Sequence, residues 1–285
     1  MDRDRAAASD ARSRPHRRAR RGTLSRSGVR SRLSGLLREG AALAVNDARD
    51  GLRDVGDSSA SSLAPSVFLV KVERGVMKNN NYVVRDPSTA QAVLVDPAWE
   101  IETLQETLER TQSHLSGILV THTHSDHIDL ARPLAEFYNC PIWMSREEAA
   151  FSGFQSRHLI AIDERPWRVG AMRIEPILTP GHTPGCVCFL IGDNLFTGDV
   201  LFAEGCGICF ELDEAHAMYD SLQMLKTRVP ADTHVFPGHT YIRPPGQKLG
   251  DIMRYNIYLQ FTDRDSFAAY RLRKGQGGPK VLDFR

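Results

Sequence analysis

The chain has 285 residues, with 36 Lys and Arg against 35 Asp and Glu, and 41% of it is hydrophobic. That length suits one large domain or two small ones with a sizeable core, and the balanced charge argues against a general nucleic-acid binder. No run approaches the ~18 apolar residues of a membrane-spanning helix, so no membrane partner is expected.

The charge is unevenly spread. Residues 1–65 carry 14 Arg against 8 acids, residues 66–241 a net −10, and residues 242–285 a net +5. The first segment has no Lys and no aromatic residue. It cannot bury enough apolar surface to offset its ordering entropy, so a disordered basic leader is expected over 1–65. The five cysteines are an odd number, and no apolar secretory segment follows the early charges. Both points predict a reducing, cytoplasmic setting without disulfides. Cys206-x-x-Cys209 lacks a second pair at structural-zinc spacing and reads as packed thiols.

From Pro65 onward, Val67–Val72, Tyr82–Arg85 and Ala92–Val95 read as strands. Asn79-Asn80-Asn81 and Asp86-Pro87 supply turn signals between them. Ile101–Thr111 reads as a helix, because Ile101, Leu104 and Leu108 share one face. Gly117–Val120 is a short buried strand, Leu130–Tyr138 a helix and Pro141–Met144 a strand. Arg168–Ile177, Val187–Ile191 and Leu195–Thr197 are strands. Ala215–Val229 is an amphipathic helix, and Val235-Phe236 ends the last strand. This mixture predicts an α+β fold with helices packed outside two sheets.

The chemistry concentrates at strand ends. Thr121-His122-Thr123-His124-Ser125-Asp126-His127 directly follows Gly117–Val120. In an extended segment, residues two apart point the same way, so His122 and His124 can converge on one point. If a helix starts after Ser125, Asp126 and His127 can face a second point nearby. His182 lies in the turn-rich Pro180-Gly181-His182-Thr183-Pro184-Gly185, Asp199 after Phe196-Thr197-Gly198, and His239 after Phe236-Pro237-Gly238. Loops at strand ends are where rigid scaffolds mount reactive groups.

His-x-His-x-Asp-His, a Gly-His turn, Gly-Asp and Pro-Gly-His, in that order, resemble the metallo-β-lactamase superfamily. The resemblance implies a four-layer αββα sandwich with a metal site at one rim and a short C-terminal helical tail. It implies His122, His124 and His182 on one metal, Asp126, His127 and His239 on a second, and Asp199 bridging them. Asp126 and Asp199 would serve catalysis directly, with Asp96 supporting the site from behind. The all-N,O ligand set suits two Zn²⁺, with Fe or Mn as alternatives. Such a pair supplies hydroxide from water near neutral pH. No extra general acid is evident, which favours a thioester, whose thiolate leaves readily.

Phe196–Phe202, Gly205-Cys206-Gly207 and Gly238-His239-Thr240-Tyr241 resemble hydroxyacylglutathione hydrolase. That family holds glutathione with a basic residue just after Gly-Cys-Gly and a tyrosine two further on. Here those positions are Ile208 and Phe210, and 44 residues follow Tyr241 where the family has a longer helical domain. Tyr241 itself is kept as a substrate residue. Gly205–Cys209, Val95–Glu100, Met144-Ser145-Arg146 and Asn256–Gln260 resemble the zinc-dependent hydrolases of trans-acyltransferase polyketide synthase clusters. That resemblance implies an acyl-thioester substrate. The 242–285 tail is expected to pack on the 66–241 hydrolase domain. Its Arg271, Arg273 and Lys274 are expected to dock an acidic acyl carrier protein; a merely solvated basic helix is the alternative. Competing activities are hydroxyacylglutathione hydrolysis and a persulfide dioxygenase using one Fe. Nucleic-acid hydrolysis is disfavoured by the acidic middle.

Overall fold

The computed structural model describes residues 64–273. Residues 1–63 of the expected leader, and Lys274 with the rest of the tail, lie outside the described residues.

β1 (Ser66–Arg74) and β2 (Met77–Arg85) form a hairpin. β3 (Gln91–Val95), β4 (His114–Leu119), β5 (Ile142–Ser145) and β6 (Leu159–Ile162) follow in chain order to complete a six-stranded sheet. From β3 to β6 the strands are parallel. Parallel neighbours need a crossover, and helices supply it here. They are α1 (Ile101–Arg110), α2 (Ser125–Ile128), α3 (Ala131–Tyr138) and α4 (Arg146–Ser152).

The second sheet runs from β7 (Trp167–Val169) through β8 (Met172–Leu178), β9 (Val187–Ile191), β10 (Asn194–Gly198) and β11 (His234–Pro237) to β12 (Gln247–Lys248). α5 (Leu212–Arg228) is the crossover between the parallel pair β10 and β11. α6 (Leu249–Tyr255), a 3₁₀ turn at Ile257–Leu259 and α7 (Arg264–Arg271) end the described chain. None of the described helices is long and apolar enough to cross a membrane.

Three apolar clusters define four layers, helices–sheet–sheet–helices. Leu104, Leu108 and Leu134 pack on one face of the first sheet against Val83 and Leu94. Tyr82, Val84, Val93 and Val95 point the other way, against Ile174, Phe189 and Phe196 of the second sheet. Cys188, Leu195 and Val235 on the far face of that sheet meet Met218, Leu222 and Leu225 of α5. Alternation along each strand thus feeds two cores at once. That is why the central strands read as continuous apolar runs instead of alternating ones. Removing the buried Phe196 ring would cost about 3–5 kcal/mol. The tail joins the same architecture: Tyr258, Leu259, Phe267 and Ala268 enter the cluster around α5.

The structure corrects two expectations. Arg168–Ile177 is not one strand but the hairpin of β7 and β8, turned at Gly170 with φ +58°. Asn79, Asn80 and Asn81 form no turn; they lie buried inside β2. Their side chains bridge to distant backbone carbonyls. Asn81 Nδ2 donates to Asp96 O at 2.5 Å, and Asn80 Nδ2 to Pro237 O at 3.0 Å. β6, α4 and β12 carried no periodic signal strong enough to be read.

Asp86 clasps the Gly170 turn. Its carboxylate accepts from Ser88 N, Ser88 Oγ, Thr89 Oγ1 and, across the fold, Ala171 N at 2.7 Å. Burial opposes the charge, but these donors outweigh it and hold the Asp86 pKa well below the usual carboxylate range. A depressed folded pKa stabilises above the unfolded value of about 3.9, and the benefit is lost as pH falls through and below it. Asp86→Asn is expected to lower unfolding free energy at pH 7 by about 1–3 kcal/mol. Chemical denaturation of both proteins across pH should show that difference shrinking below about pH 4.

Candidate metal centre

Seven predicted donors meet at one end of both sheets. After β4 the chain bends at Thr121 and is extended at His124, whose ψ is 144°. It then turns into α2, which carries the buried Asp126 and His127. His182 comes from the β8–β9 loop, Asp199 from the end of β10 and His239 from the end of β11. Gly198, at φ +48°, makes the turn that presents Asp199.

The donors fall into two groups. His122, His124 and His182 offer nitrogens within 4.8 Å of one another, and so do the donor atoms of Asp126, His127 and His239. In the first group His124 Nδ1 stands 3.1 Å from His122 Nε2 and 3.0 Å from His182 Nε2. In the second, His127 and His239 each place Nε2 3.5 Å from Asp126 Oδ2. Asp199 lies between them. Its Oδ1 is 3.4 Å from His127 Nε2, and its Oδ2 is 3.3 Å from His239 Nε2 and 3.6 Å from His182 Nε2.

Outer contacts set which nitrogen faces inward. His182 Nδ1 faces Ile208 O at 2.8 Å, His239 Nδ1 faces Lys78 O at 3.0 Å, and His127 Nδ1 faces Asp96 Oδ2 at 3.0 Å. An acceptor outside requires N–H on Nδ1, which leaves Nε2 for the centre. Asp96 is therefore a supporting carboxylate, and it also accepts from Thr121 N and Thr121 Oγ1. It holds φ +51°, in the left-handed region, to do so.

A cation fits this set. Asp126 Oδ1, Asp199 Oδ1 and His127 Nε2 are buried side-chain atoms without a hydrogen bond. Buried polar groups of this kind are rare and costly unless something else pairs them. Burial keeps His122 neutral, and burial together with His182 brings His124 down to about 4, so both offer lone pairs. Burial disfavours charge on Asp199 too, yet His239 and His127 hold its pKa well below the usual carboxylate range. Burial also opposes charge on His127, but Asp199, Asp126 and Asp96 overcome it and raise its pKa to about 10. That inward proton and a metal cation compete for one place.

The centre opens into a cavity of about 400 Å³. Val76, Met77, Phe202, Ile208 and Tyr241 give it an apolar lining, with Lys78 beside them. Tyr241 is at the mouth, 65% exposed. Arg271, expected on a docking surface, instead points inward: it is buried and its Nε donates to Gly207 O at 2.7 Å.

Three contributors escaped the sequence reading. Asn79 Nδ2 donates to Asp126 O at 2.7 Å and to Asp126 Oδ2 at 3.1 Å. Thr121 fixes Asp96, as above. Glu148, fully buried, accepts from Thr123 beside His122 and His124. For Asn79, the polar triplet abutting an apolar strand was the available signal. For Glu148, nothing in its exposed-looking Arg-Glu-Glu context marked it.

Gly238 leaves no room for a side chain. A Cβ there would lie 2.5 Å from His127 Cε1 and 2.7 Å from Asp199 Oδ1. Gly238→Ala is expected to lose bound metal while keeping its far-ultraviolet circular dichroism, and to lose about 1–3 kcal/mol of stability from overpacking. Elemental analysis after dialysis measures the first effect and thermal denaturation the second.

Residues 74–239 match the family model described as the metallo-beta-lactamase superfamily. The chain is 41% identical over 214 residues to the probable polyketide biosynthesis zinc-dependent hydrolase BaeB of Bacillus velezensis, covering 74% of this chain and 95% of that protein. It is 35% identical to the corresponding PksB of Bacillus subtilis, covering 79% of this chain and all of that protein. Among solved structures, TTHA1623 in a di-iron-bound form superposes with a TM-score of 0.54 at 30% identity. That match covers 67% of this chain and all of TTHA1623. Fold, strand-end donors and family match agree, and the chain belongs to the metallo-β-lactamase superfamily.

Proposed function

We propose that the chain is a binuclear zinc-dependent hydrolase of acyl thioesters that works in polyketide biosynthesis. The observation that carries the two-metal reading is Asp199, whose carboxylate reaches His182 of one group and His127 and His239 of the other. TTHA1623, with its two irons, supports that count. BaeB and PksB, matched over nearly their whole lengths, support zinc, hydrolysis and the polyketide setting. Five buried free thiols suit the reducing environment of a cytoplasm.

Two zinc ions, when bound, supply hydroxide from water at neutral pH and polarise the scissile carbonyl. The protein's own residues do the rest. His122, His124 and His182 would hold one ion, Asp126, His127 and His239 the other, and Asp199 both. Val76, Met77, Phe202 and Ile208 take the acyl group into the apolar cavity and exclude water from around it. Apart from the seven donors, the cavity's titratable lining is Lys78, Cys206 and Tyr241. No further carboxylic acid or imidazole lines it to protonate a leaving group, and a thiolate needs little such help. The apolar Ile208 and Phe210 replace the polar groups expected to hold glutathione, which argues against hydroxyacylglutathione hydrolysis. A seven-donor set exceeds what a one-iron dioxygenase requires.

A panel of carrier-bound, N-acetylcysteamine, coenzyme A and glutathione acyl thioesters tests this reading. Metal-replete protein is expected to hydrolyse the first two and to consume no O₂ with glutathione persulfide. Asp199→Asn should lower kcat/KM by at least about 100-fold, the upper range for losing even an outer partner of a metal site. Absence of turnover on every thioester in the panel would refute the assignment.

The partner follows from the same reading. An acidic acyl carrier protein would meet the exposed Arg243, which stacks 4.1 Å over the Tyr255 ring and lies two residues beyond Tyr241. Arg243→Glu is expected to raise KM several-fold for carrier-bound substrate and to leave N-acetylcysteamine thioesters unchanged. Equal KM values for wild type and variant on the carrier-bound substrate would remove this contact from the docking surface.

A further inference from the structure

We propose that Glu148 is a positioning residue that holds the three-histidine group, and that group alone, in ligand geometry. The inference rests on the two-metal reading and adds a residue outside the donor set. Glu148 is fully buried at the N-terminal end of α4. One carboxylate oxygen, Oε1, accepts from Thr123 N at 2.7 Å and from Thr123 Oγ1 at 2.6 Å. The other, Oε2, accepts from Thr183 Oγ1 at 2.5 Å and from Gly185 N at 3.2 Å. Thr123 separates His122 from His124, and Thr183 follows His182. A single side chain therefore ties together the two loops that must converge for three imidazoles to meet.

The surroundings are built for this role. Ser145 Oγ caps α4 by accepting from Glu148 N at 3.0 Å, and donates to Gly185 O at 2.5 Å. Gly185 must lack a side chain, because a Cβ would collide with Glu148 N and Cα. On the other side of His182, Ser221 Oγ donates to Pro180 O at 2.7 Å. The second group has its own supports: Asp96 behind His127, Asn79 behind Asp126 and Lys78 O behind His239. None of these three contacts involves Glu148.

Glu148→Gln preserves shape and splits the function. A carboxamide has one accepting oxygen and one donating nitrogen. Whichever way it turns, the nitrogen faces a backbone N–H, of Thr123 or of Gly185, and one loop is released. Outer partners of metal ligands typically tune affinity by about 10- to 100-fold.

The test is Zn²⁺ and Co²⁺ binding to full-length protein, by competition with a chromophoric chelator, with thermal denaturation of the metal-free form alongside. Wild type should show two binding events. Glu148→Gln should weaken one of them by about 10- to 100-fold, change the Co²⁺ visible spectrum of that site and leave the other within about twofold. Thr123→Val and Thr183→Val should each weaken the same event, and neither should add to Glu148→Gln. Unchanged binding in Glu148→Gln, or equal loss at both sites, would overturn the proposal. If Glu148→Gln does not fold, the two threonine variants decide: weakening at one site supports the proposal, and no weakening or equal loss at both overturns it. A wild-type chain that binds no metal would instead remove the two-metal reading itself.

Discussion

Lone pairs of nitrogen and oxygen repel when they face one another across about 3 Å, and this fold brings seven such side chains into one small volume. His124 Nδ1 and His182 Nε2 meet at 3.0 Å, and the contact of His182 Nδ1 with Ile208 O leaves that Nε2 without a proton of its own. Without a cation the unpaired buried Asp126 Oδ1, Asp199 Oδ1 and His127 Nε2 are costly, and a surrounding frame holds them in place. Asp96, Asn79, Glu148, Ile208 O and Lys78 O are that frame, each bonded to the outer side of a ligand or to its loop. The strain of Asp96 at φ +51° belongs to the same arrangement. Backbone strain of this kind persists where surrounding structure over-determines it.

The two sheets explain how the frame can be rigid. Their facing surfaces are filled by Tyr82, Phe189, Phe196 and neighbouring aliphatic residues, closely packed. β2 also crosses chemically to the second sheet. Asn80 N donates to Gly238 O at 2.8 Å, and Tyr82 Oη donates to Pro237 O at 2.5 Å. Both bonds land on the turn that carries His239. A ligand from one sheet is thus referenced to the other, and the groups cannot drift apart without opening the core.

Much of the site was legible because metal ligands sit at strand ends in short, dense motifs. His122 to His127 announced itself by type and spacing, and α2 begins at Ser125, where the chain had to turn for Asp126 and His127 to face inward. The buried faces of α1 and α5 were legible through helical spacing. The supporting polar residues were not. Asn79, Asn80 and Asn81 have the composition of a turn, and only tertiary partners make a buried strand their better option. Glu148 looks like a solvated helix residue until Thr123 and Thr183 come together from 25 positions before it and 35 after it. Gly170 divides a strand because its φ of +58° turns the chain, and Asp86 and Thr89 occupy the space a side chain would need there. Long-range hydrogen bonds have no periodicity, so local pattern cannot show them.

The clasp of Arg271 on Gly207 O has a consequence for how this protein can diversify. The carbonyl it holds belongs to the loop whose next residue, Ile208, orients His182 and lines the cavity over the centre. The final described helix and this loop are therefore one structural unit, though 64 positions separate them. Grafting a relative's loop alone would leave the guanidinium buried against a carbonyl that no longer meets it. A loop of different shape at Gly207 and Ile208 therefore needs a matching change at position 271.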